Sequence, residues 1–392
     1  MLRVTDKCSC CGCGACAQRC PRHCITMRDD AEGFAYPVAD PSACVECGLC
    51  ERVCPQRMPA APVPPLSLWV ARNPCEDERM ASSSGGIFVM LAKQVLDGGG
   101  VVFGAVCDEH CEVRHAWADS MEGVRPMMGS KYVQSHLGDA YARVRDFLTQ
   151  GREVLFTGTP CQVAGLHAFL GTRPRKGLLA VEVLCHGVPS RSVWRAFLAQ
   201  EYGGAVRSIR FRDKAEGGWR QYRVVARGLS ADGTSRDAVL SSLAHTTHPF
   251  MIGFLANLYL RPSCHACRFK QGQSHADLTL GDYWAALDEP VPLDDDKGLS
   301  VVVVGTQHGQ DSLAALGVPL LRTTLRRAQR HNGGFESQAR PHPARHKFFV
   351  LMRSGVPVSC AVQRCLHRRV PLAVVLLRRL GAWLKRRMCG RG

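Results

Sequence analysis

Two short runs of cysteine near the start of the chain have the regular spacing that metal chemistry requires. The first run has the spacing C-x2-C-x2-C-x3-C, ends before Pro21, and consists of Cys10, Cys13, Cys16 and Cys20. The second run repeats that spacing, ends before Pro55, and consists of Cys44, Cys47, Cys50 and Cys54. One run can arise by chance in a chain with 21 cysteines. Two complete runs, each followed by proline, are very unlikely to arise by chance.

This spacing is the one with which bacterial two-cluster ferredoxins bind a pair of [4Fe–4S] clusters, the fourth cysteine of each run serving the other cluster. The alternatives are zinc knuckles, which usually pair two C-x2-C units, and a disulfide framework. We therefore predict two clusters in the first 58 residues. Their ligands are Cys10, Cys13, Cys16 and Cys54 for the first, and Cys44, Cys47, Cys50 and Cys20 for the second.

Length and composition indicate that more than a ferredoxin is present. A chain of 392 residues predicts two or three domains. The opening residues MLRVTDKCSC lack the apolar core of a signal peptide, and no apolar run approaches the roughly 18 residues of a membrane span. We therefore expect a cytoplasmic protein, whose cysteines serve metals or redox chemistry rather than disulfides.

The net charge of +16 is concentrated at the carboxyl end, because residues 340–392 hold 13 Lys and Arg and no Asp or Glu. From residue 370 the pattern predicts a helix with apolar residues on one side and basic residues on the other. Such a helix either contacts an acidic membrane surface or partner, or packs on its own domain with a solvated basic face. Nucleic acid is not an expected partner, because no base-stacking aromatic pattern accompanies the charge.

The order of elements predicts a mixed α/β large domain preceded by the small ferredoxin domain. Five prolines between positions 55 and 65 predict a stiff linker. Beyond it strands and helices alternate, including an apolar helix predicted over 250–260. The predicted divisions are 1–58 for the ferredoxin-type domain, 59–67 for the linker, 68–355 for the large domain and 356–392 for the basic tail.

Four stretches of the large domain place glycine, hydroxyl or cysteine side chains at strand ends: 82–86, 129–135, 156–162 and 184–190. The serine-glycine helix start at 82–86 can bind an anion such as a pyrophosphate, although it is more often only a cap. Cys161 falls in the first turn of a predicted helix, where we expect a lowered thiol pKa. A further C-x2-C, Cys264 and Cys267, could join Cys161 and Cys185 in a third four-thiolate site for a cluster or a zinc ion.

Seven motifs occur in a fixed order: SSSGGIF (82–88), GSKYVQS (129–135), TGTPCQ (157–162), CHGVPS (185–190), IRFRDK (209–214), PSCHACRFK (262–270) and TLGDYW (279–284). Together with the doubled cysteine run they resemble the beta-subunit family of coenzyme F420 hydrogenases and dehydrogenases, in its bacterial form with an amino-terminal ferredoxin module. The resemblance spans roughly residues 8–350.

The resemblance implies a third [4Fe–4S] cluster on Cys161, Cys185, Cys264 and Cys267, and an FAD beside it. The FAD-binding residues that it implies are Ser83, Ser84, Gly85, Gly86, Ser130, Lys131, Tyr132, Thr157, Gly158, Thr159, Pro160 and His186. The implied function is an oxidoreductase that passes electrons between clusters and FAD and exchanges hydride with F420 or another soluble carrier. No catalytic side chain is predicted. The nine remaining cysteines, Cys11 and Cys24 among them, are expected to bind no metal.

One stretch departs from the family pattern. Relatives have an arginine and a serine just before the aspartate of the glycine-aspartate strand, whereas this chain has QSHAD at 273–277. The identity of the hydride carrier is therefore open. Two other functions also stay open: an electron-transfer subunit without flavin, and an accessory redox protein for surface-polysaccharide assembly.

Overall fold

The computed structural model describes residues 3–58, 61–172, 175–230 and 232–366. The strands of these ranges are β1 (Ile25–Asp29), β2 (Ala35–Ala39), β3 (Ser67–Ala71), β4 (Val101–Cys107), β5 (Val113–Ala118), β6 (Val154–Gly158), β7 (Leu178–Val183), β8 (Val206–Asp213), β9 (Arg223–Gly228), β10 (Ala238–Ala244), β11 (Leu278–Asp282), β12 (Ser300–Val304) and β13 (Leu320–Arg322). The helices are α1 (Ala15–Arg19), α2 (Leu49–Arg52), α3 (Glu76–Ala81), α4 (Ile87–Asp97), α5 (Met121–Val124), α6 (Ala140–Thr149), α7 (Pro160–Leu170), α8 (Arg191–Tyr202), α9 (Pro249–Leu255), α10 (Gln307–Ala314), α11 (Leu325–Ala328), α12 (Arg345–Arg353) and α13 (Val358–Leu366).

A mixed sheet of eight strands forms the centre of the large domain, in the order β13-β3-β12-β11-β7-β6-β4-β5. Strands β4, β6, β7 and β11 pair in parallel with one another, whereas β5, β12 and β13 pair antiparallel with their neighbours. The carboxyl ends of β3, β4, β6, β7 and β11 therefore lie along one edge of the sheet. This edge, which we call the carboxyl edge, is where open α/β sheets bind ligands.

Alternating side chains of each central strand enter two separate hydrophobic cores, as the period of a strand requires. On β6, Val154 and Phe156 face the core that contains α6 and α7, whereas Leu155 faces the core that contains α4. All three are fully buried. This explains why the parallel strands are almost continuously apolar.

A third core lies where the three-stranded antiparallel sheet β10-β9-β8 meets α8, α9, α12 and α13. It is rich in aromatic rings, and the ring centroids of Trp194 and Phe250 are 4.8 Å apart. Helix α9 ends at Leu255 rather than continuing to residue 260, because Asn257 adopts a left-handed conformation with φ of +61°. Helix α13 belongs to this core although the basic tail was predicted to begin at residue 356; the remainder of that tail, 367–392, lies outside the described residues.

The ferredoxin region has the hairpin predicted between its two cysteine runs, with β1 and β2 paired antiparallel from Ile25 opposite Ala39. It packs directly on the large domain. The amide of Gln134 donates to the Cys11 carbonyl over 3.0 Å, and Gln18 accepts from the backbone of Tyr141 over 2.9 Å. The predicted fold class, a mixed α/β domain preceded by a ferredoxin region, is confirmed. Among the described residues, no helix has the length and apolarity needed to cross a membrane.

The turn of the ferredoxin hairpin rests on α8 at Gly33, and Gly33→Ala should test this contact. Gly33 and Gly151 both have positive φ, +79° and +77°, so alanine introduces similar backbone strain at each position. At Gly33 the added Cβ would meet the Ser192 hydroxyl and lie 2.8 Å from the Ser192 backbone nitrogen, whereas at Gly151 nothing lies within 4 Å. We expect Gly33→Ala to lower the free energy of unfolding by about 1–3 kcal/mol more than Gly151→Ala. Chemical denaturation of the anaerobic protein measures this difference, and equal losses would contradict the contact.

Candidate functional site

The four cysteines predicted for the second cluster line one pocket of the ferredoxin region: Cys20, Cys44, Cys47 and Cys50. Cys24 lines the same pocket, and its sulfur lies 3.3 Å from that of Cys20. Cys47 is exposed at the surface. The structure thus brings the predicted ligands together. It also places beside them a fifth thiol, Cys24, which was expected from the sequence to bind no metal.

The cysteines predicted for the first cluster lie around α1. Burial, followed by the neighbouring Cys10 and Cys54, raises the pKa of the Cys16 thiol to about 12, so these three side chains are close neighbours. Cys13 is buried against α7, where a Cβ added to Gly165 would lie 3.0 Å from the Cys13 sulfur.

A left-handed glycine shapes both cysteine loops in the same way. Gly14 precedes α1 and Gly48 precedes α2, and each has φ of +71°. Each glycine stands between the second and third cysteine of its run, where a tight loop must turn around one group. The two runs therefore share conformation as well as spacing.

The cysteines implied for the third cluster line a pocket at the carboxyl edge of the large sheet: Cys161, Cys185, Cys264 and Cys267. They come from the start of α7, the residues after β7, and the short 3-10 helix Pro262–Ala266 and its end. Within the described ranges, no three or more Cys, His, Asp or Glu side chains already stand where they could hold a single metal ion. The donor set of this pocket, four cysteines, nonetheless has the chemistry of an iron–sulfur site.

Cys11 of the ferredoxin region lines this same pocket. A hydrogen bond with the Cys13 thiol is the main reason that the pKa of Cys11 is raised, and the Cys161 thiol is a second partner. The pKa of Cys161 is likewise raised well above its ordinary value, first by Cys11 and then by burial. The lowered pKa expected for Cys161 at a helix start is therefore wrong, because its neighbours and its burial outweigh the helix dipole.

The stretches implied for FAD binding are also neighbours at the carboxyl edge. The Ser130 backbone nitrogen donates to the Ser83 hydroxyl over 2.6 Å, which joins the first two stretches. The rings of Tyr132 and His186 both contact Phe254, at 5.1 and 5.2 Å between centroids. Pro160 and His186 line the third cysteine pocket as well. The edge that would hold a flavin therefore adjoins the third cysteine pocket.

Several groups implied for FAD binding are occupied by the protein itself. The Ser84 hydroxyl donates to the Leu299 carbonyl over 3.0 Å, and the Gly85 nitrogen donates to Ser300 over 2.9 Å. The Lys131 ammonium donates to two carbonyls of its own loop at 2.7 and 2.9 Å.

The glycines and threonines of these stretches shape the backbone. Gly86 has φ of +79° at the start of α4. Thr157 donates to the Phe103 carbonyl over 2.8 Å, and Gly158 leads into α7, where Thr159 forms a capping box with Gln162. These residues position the edge, and their own polar groups are largely satisfied.

Sequence reasoning missed a cluster of buried cations behind this edge. The Lys214 ammonium donates to the carbonyls of Arg79, Lys297 and Ser84, and Arg212 forms a bidentate ion pair with Asp282 at 2.5 and 2.9 Å. Burial, followed by Arg212, lowers the pKa of Lys214 to about 7.

Two buried nitrogens of this cluster, the Nε atoms of Arg79 and Arg212, have no hydrogen-bond partner among the described residues. Both guanidinium groups are paired with carboxylates, Arg79 with Asp295 and Arg212 with Asp282. Only their Nε atoms and the Lys214 ammonium, which has no carboxylate partner among the described residues, are therefore available to an anion. The motif IRFRDK contains two of these cations, which is the signal that could have found them.

A two-cluster cysteine region packed against a cysteine-lined α/β edge defines an iron–sulfur redox protein. Residues 9–58 match the family described as 4Fe-4S dicluster domain. Residues 151–317 match the family described as the carboxyl terminus of the beta subunit of coenzyme F420 hydrogenase/dehydrogenase. The resemblance inferred from the motifs is confirmed over these residues, and the chain is an iron–sulfur electron-transfer protein related to the beta subunits of F420 hydrogenases.

The comparison with solved structures returns a similar chain from the xenon-derivatized F420-reducing [NiFe] hydrogenase complex of Methanosarcina barkeri. The TM-score is 0.43 and the sequence identity 15%, over 76% of this chain and 90% of that chain. No curated protein matches the sequence.

Glu182 gives the region of the third pocket a pH-dependent stability. It is buried on β7 near Cys185 and accepts hydrogen bonds from Ser274 and, over 2.9 Å, from Thr279. Burial raises its pKa to about 7. Because the folded-state pKa lies above the unfolded one, stability is lost as the pH rises from about 4.5 to 7.

We expect Glu182→Gln to remove this loss. Relative to the wild type, its free energy of unfolding should rise by about 2 kcal/mol between pH 5.5 and pH 8. The measurement is denaturation at both pH values, with the exposed Glu122→Gln as control. A difference from the wild type that does not change with pH would contradict the assignment.

Proposed function

We propose that the protein is an iron–sulfur flavoprotein oxidoreductase with a third [4Fe–4S] cluster and an FAD in its large domain. The observation that carries the proposal is that Cys11 of the ferredoxin region lines the pocket of Cys161, Cys185, Cys264 and Cys267. Cys11 stands between two proposed ligands of the first cluster, Cys10 and Cys13. The first and third cluster sites are therefore adjacent through Cys11, as electron transfer between them requires.

The proposed order of the sites follows from which cysteines share a pocket. The second cluster, on Cys20, Cys44, Cys47 and Cys50, lies in a pocket that has no residue in common with the third. The first cluster, on Cys10, Cys13, Cys16 and Cys54, lies between them. Electrons would pass through the second, first and third clusters in series, in a direction that depends on the partner.

The residues proposed for FAD surround the carboxyl edge beside the third pocket. His186 and Pro160 would contact the flavin on the cluster side, and Tyr132 with Phe254 would exclude water from the other side. Lys214 would supply positive charge to the pyrophosphate, and the Nε atoms of Arg212 and Arg79, whose charges are balanced by Asp282 and Asp295, would supply hydrogen bonds. Bound there, FAD exchanges electron pairs as hydride and single electrons with a cluster, which is the chemistry that connects the two kinds of carrier.

The residues around this edge have positioning roles, and we assign none of them as a general acid or base. His186 is held by Asn257 over 2.6 Å, and burial lowers its pKa, so its imidazole is neutral near pH 7. The stretch 273–277, which differs from the family pattern, is hydrogen-bonded to the central sheet. Ser274 donates to Glu182, and Asp277 accepts from the Ala180 nitrogen over 2.8 Å. The proposed hydride carrier is therefore F420 or another soluble carrier in the cytoplasm.

Metal and flavin content test the proposed composition. Anaerobically purified protein should contain about twelve irons and one FAD, four irons for each cluster. Cys264→Ser should lose about four irons, whereas Cys11→Ser, in the same pocket, should keep all twelve because Cys11 is a neighbour of the site and not a ligand. Iron, sulfide, zinc and flavin assays measure this. Eight irons with zinc and no flavin in the wild type would contradict the proposal.

Reduction by different donors tests the flavin and its cation cluster together. The wild type should be reduced by a hydride donor (reduced F420, NADH or NADPH) and by reduced ferredoxin. Lys214→Met should lose most of its FAD, and with it reduction by hydride donors, while reduction by ferredoxin remains. Lys93→Met is the matched control, because Lys93 pairs with Glu78 on the exposed side of α4. A wild type that only ferredoxin reduces would instead be an electron-transfer subunit.

A further inference from the structure

Arg261 is a fully buried arginine that joins the ferredoxin region to the large domain. Its side chain has an exposed fraction of 0%. Its Nε donates to the Cys10 carbonyl over 2.8 Å, and its Nη2 donates to the Ala35 carbonyl over 2.8 Å. Its Nη1 donates to Gln134 over 3.1 Å. The guanidinium thus lies inside the loop that carries the first cysteines, 251 positions away from them in sequence.

No carboxylate of the described residues forms an ion pair with this guanidinium. None of the ion pairs formed by the described residues includes Arg261, and its hydrogen-bond acceptors are two carbonyls, one amide and one sulfur. The sulfur is that of Cys10, 3.8 Å from Nη2. A buried guanidinium without an anionic partner is strongly unfavourable, and a neutral thiol does not supply the missing charge.

The surroundings of the guanidinium are shaped for it. It lies over the ring of Tyr36 at 4.4 Å from the centroid, an arrangement that favours a cation. On the other side Gly12 leaves room for it, because a Cβ at that position would lie 2.7 Å from Nη1. The site therefore accommodates a buried cation next to Cys10.

Arg261 also stands beside the third pocket. It directly precedes the 3-10 helix that carries Cys264, and the Cys264 nitrogen donates to the Arg261 carbonyl over 2.9 Å. Arg261 is not among the described residues that line the pocket around Cys20 and Cys44. One buried positive charge is thus placed at the junction of the first and third sites and away from the second.

We propose that Arg261 is the counter-cation of the cluster bound through Cys10, and that it raises the reduction potential of that cluster above that of the second. Each one-electron reduction adds negative charge to a cluster, so a fixed cation in contact with a ligand sulfur stabilises the reduced form. The inference rests on the proposed ligation by Cys10 but does not require the third cluster or FAD.

The test is an anaerobic redox titration of the holoprotein followed by electron paramagnetic resonance, with iron content measured in parallel. Arg261→Gln removes the charge and keeps hydrogen-bonding groups, and Arg261→Lys keeps the charge. Arg345→Met is the matched control, because Arg345 also joins the two regions but has a carboxylate partner, Glu32, at 2.5 Å.

We expect Arg261→Gln to lower the potential of one ferredoxin cluster and leave that of the other unchanged. Arg261→Lys should keep the wild-type order, and Arg345→Met should shift neither potential. If only Arg261→Lys can be loaded with iron, the charge is needed for assembly of the cluster, which also supports the proposal. Equal shifts in Arg261→Gln and Arg261→Lys, no shift in either, or loss of iron from both would overturn it. Iron content of the wild type, at eight or twelve, reports separately on the third cluster.

Discussion

The contact between the first cysteine loop and the carboxyl edge is the interaction on which the arrangement of redox sites depends. At this contact a thiol of the ferredoxin region lines a pocket of the large domain, and an arginine of the large domain lies inside the ferredoxin loop. Both groups are buried, so the two regions cannot separate without exposing the proposed first and third sites to water. The fold therefore fixes the distance between these two proposed sites, on which electron transfer between them would depend.

The sequence was sufficient where the chemistry is local. The eight ferredoxin cysteines were assigned to two clusters from their spacing together with the two-cluster ferredoxin pattern, in which the fourth cysteine of each run serves the other cluster. The four cysteines of the large domain come from three separate segments, so the residues alone offered them as one site for a cluster or a zinc ion, and the family resemblance implied a cluster; the structure places them around one pocket. The division of the chain into strands and helices followed from hydrophobic patterning, although α9 is shorter than its apolar run because Asn257 ends it.

What the sequence could not predict depends on contacts between distant residues. Arg261 resembles any other arginine of this basic chain until the fold places it beside Cys10 without an ion pair to any described carboxylate. Lys214 and Arg212 belong to a motif, but their burial and the unpartnered Nε atoms are properties of the folded edge. Cys161 is a further example. Its place at a helix start predicted a lowered thiol pKa, whereas its neighbours in the fold raise that pKa.

The matching glycines of the two cysteine loops have a consequence for symmetry. Gly14 and Gly48 have the same φ at the same place in their runs, so the repeat of the cysteine spacing extends to the backbone of the two loops. The large domain packs on the loop of Gly14 and on the residues that follow the second run, whereas Cys47, beside Gly48, remains exposed. The two repeated loops therefore differ in exposure to solvent. This difference arises from packing against the large domain and not from the repeated sequence itself.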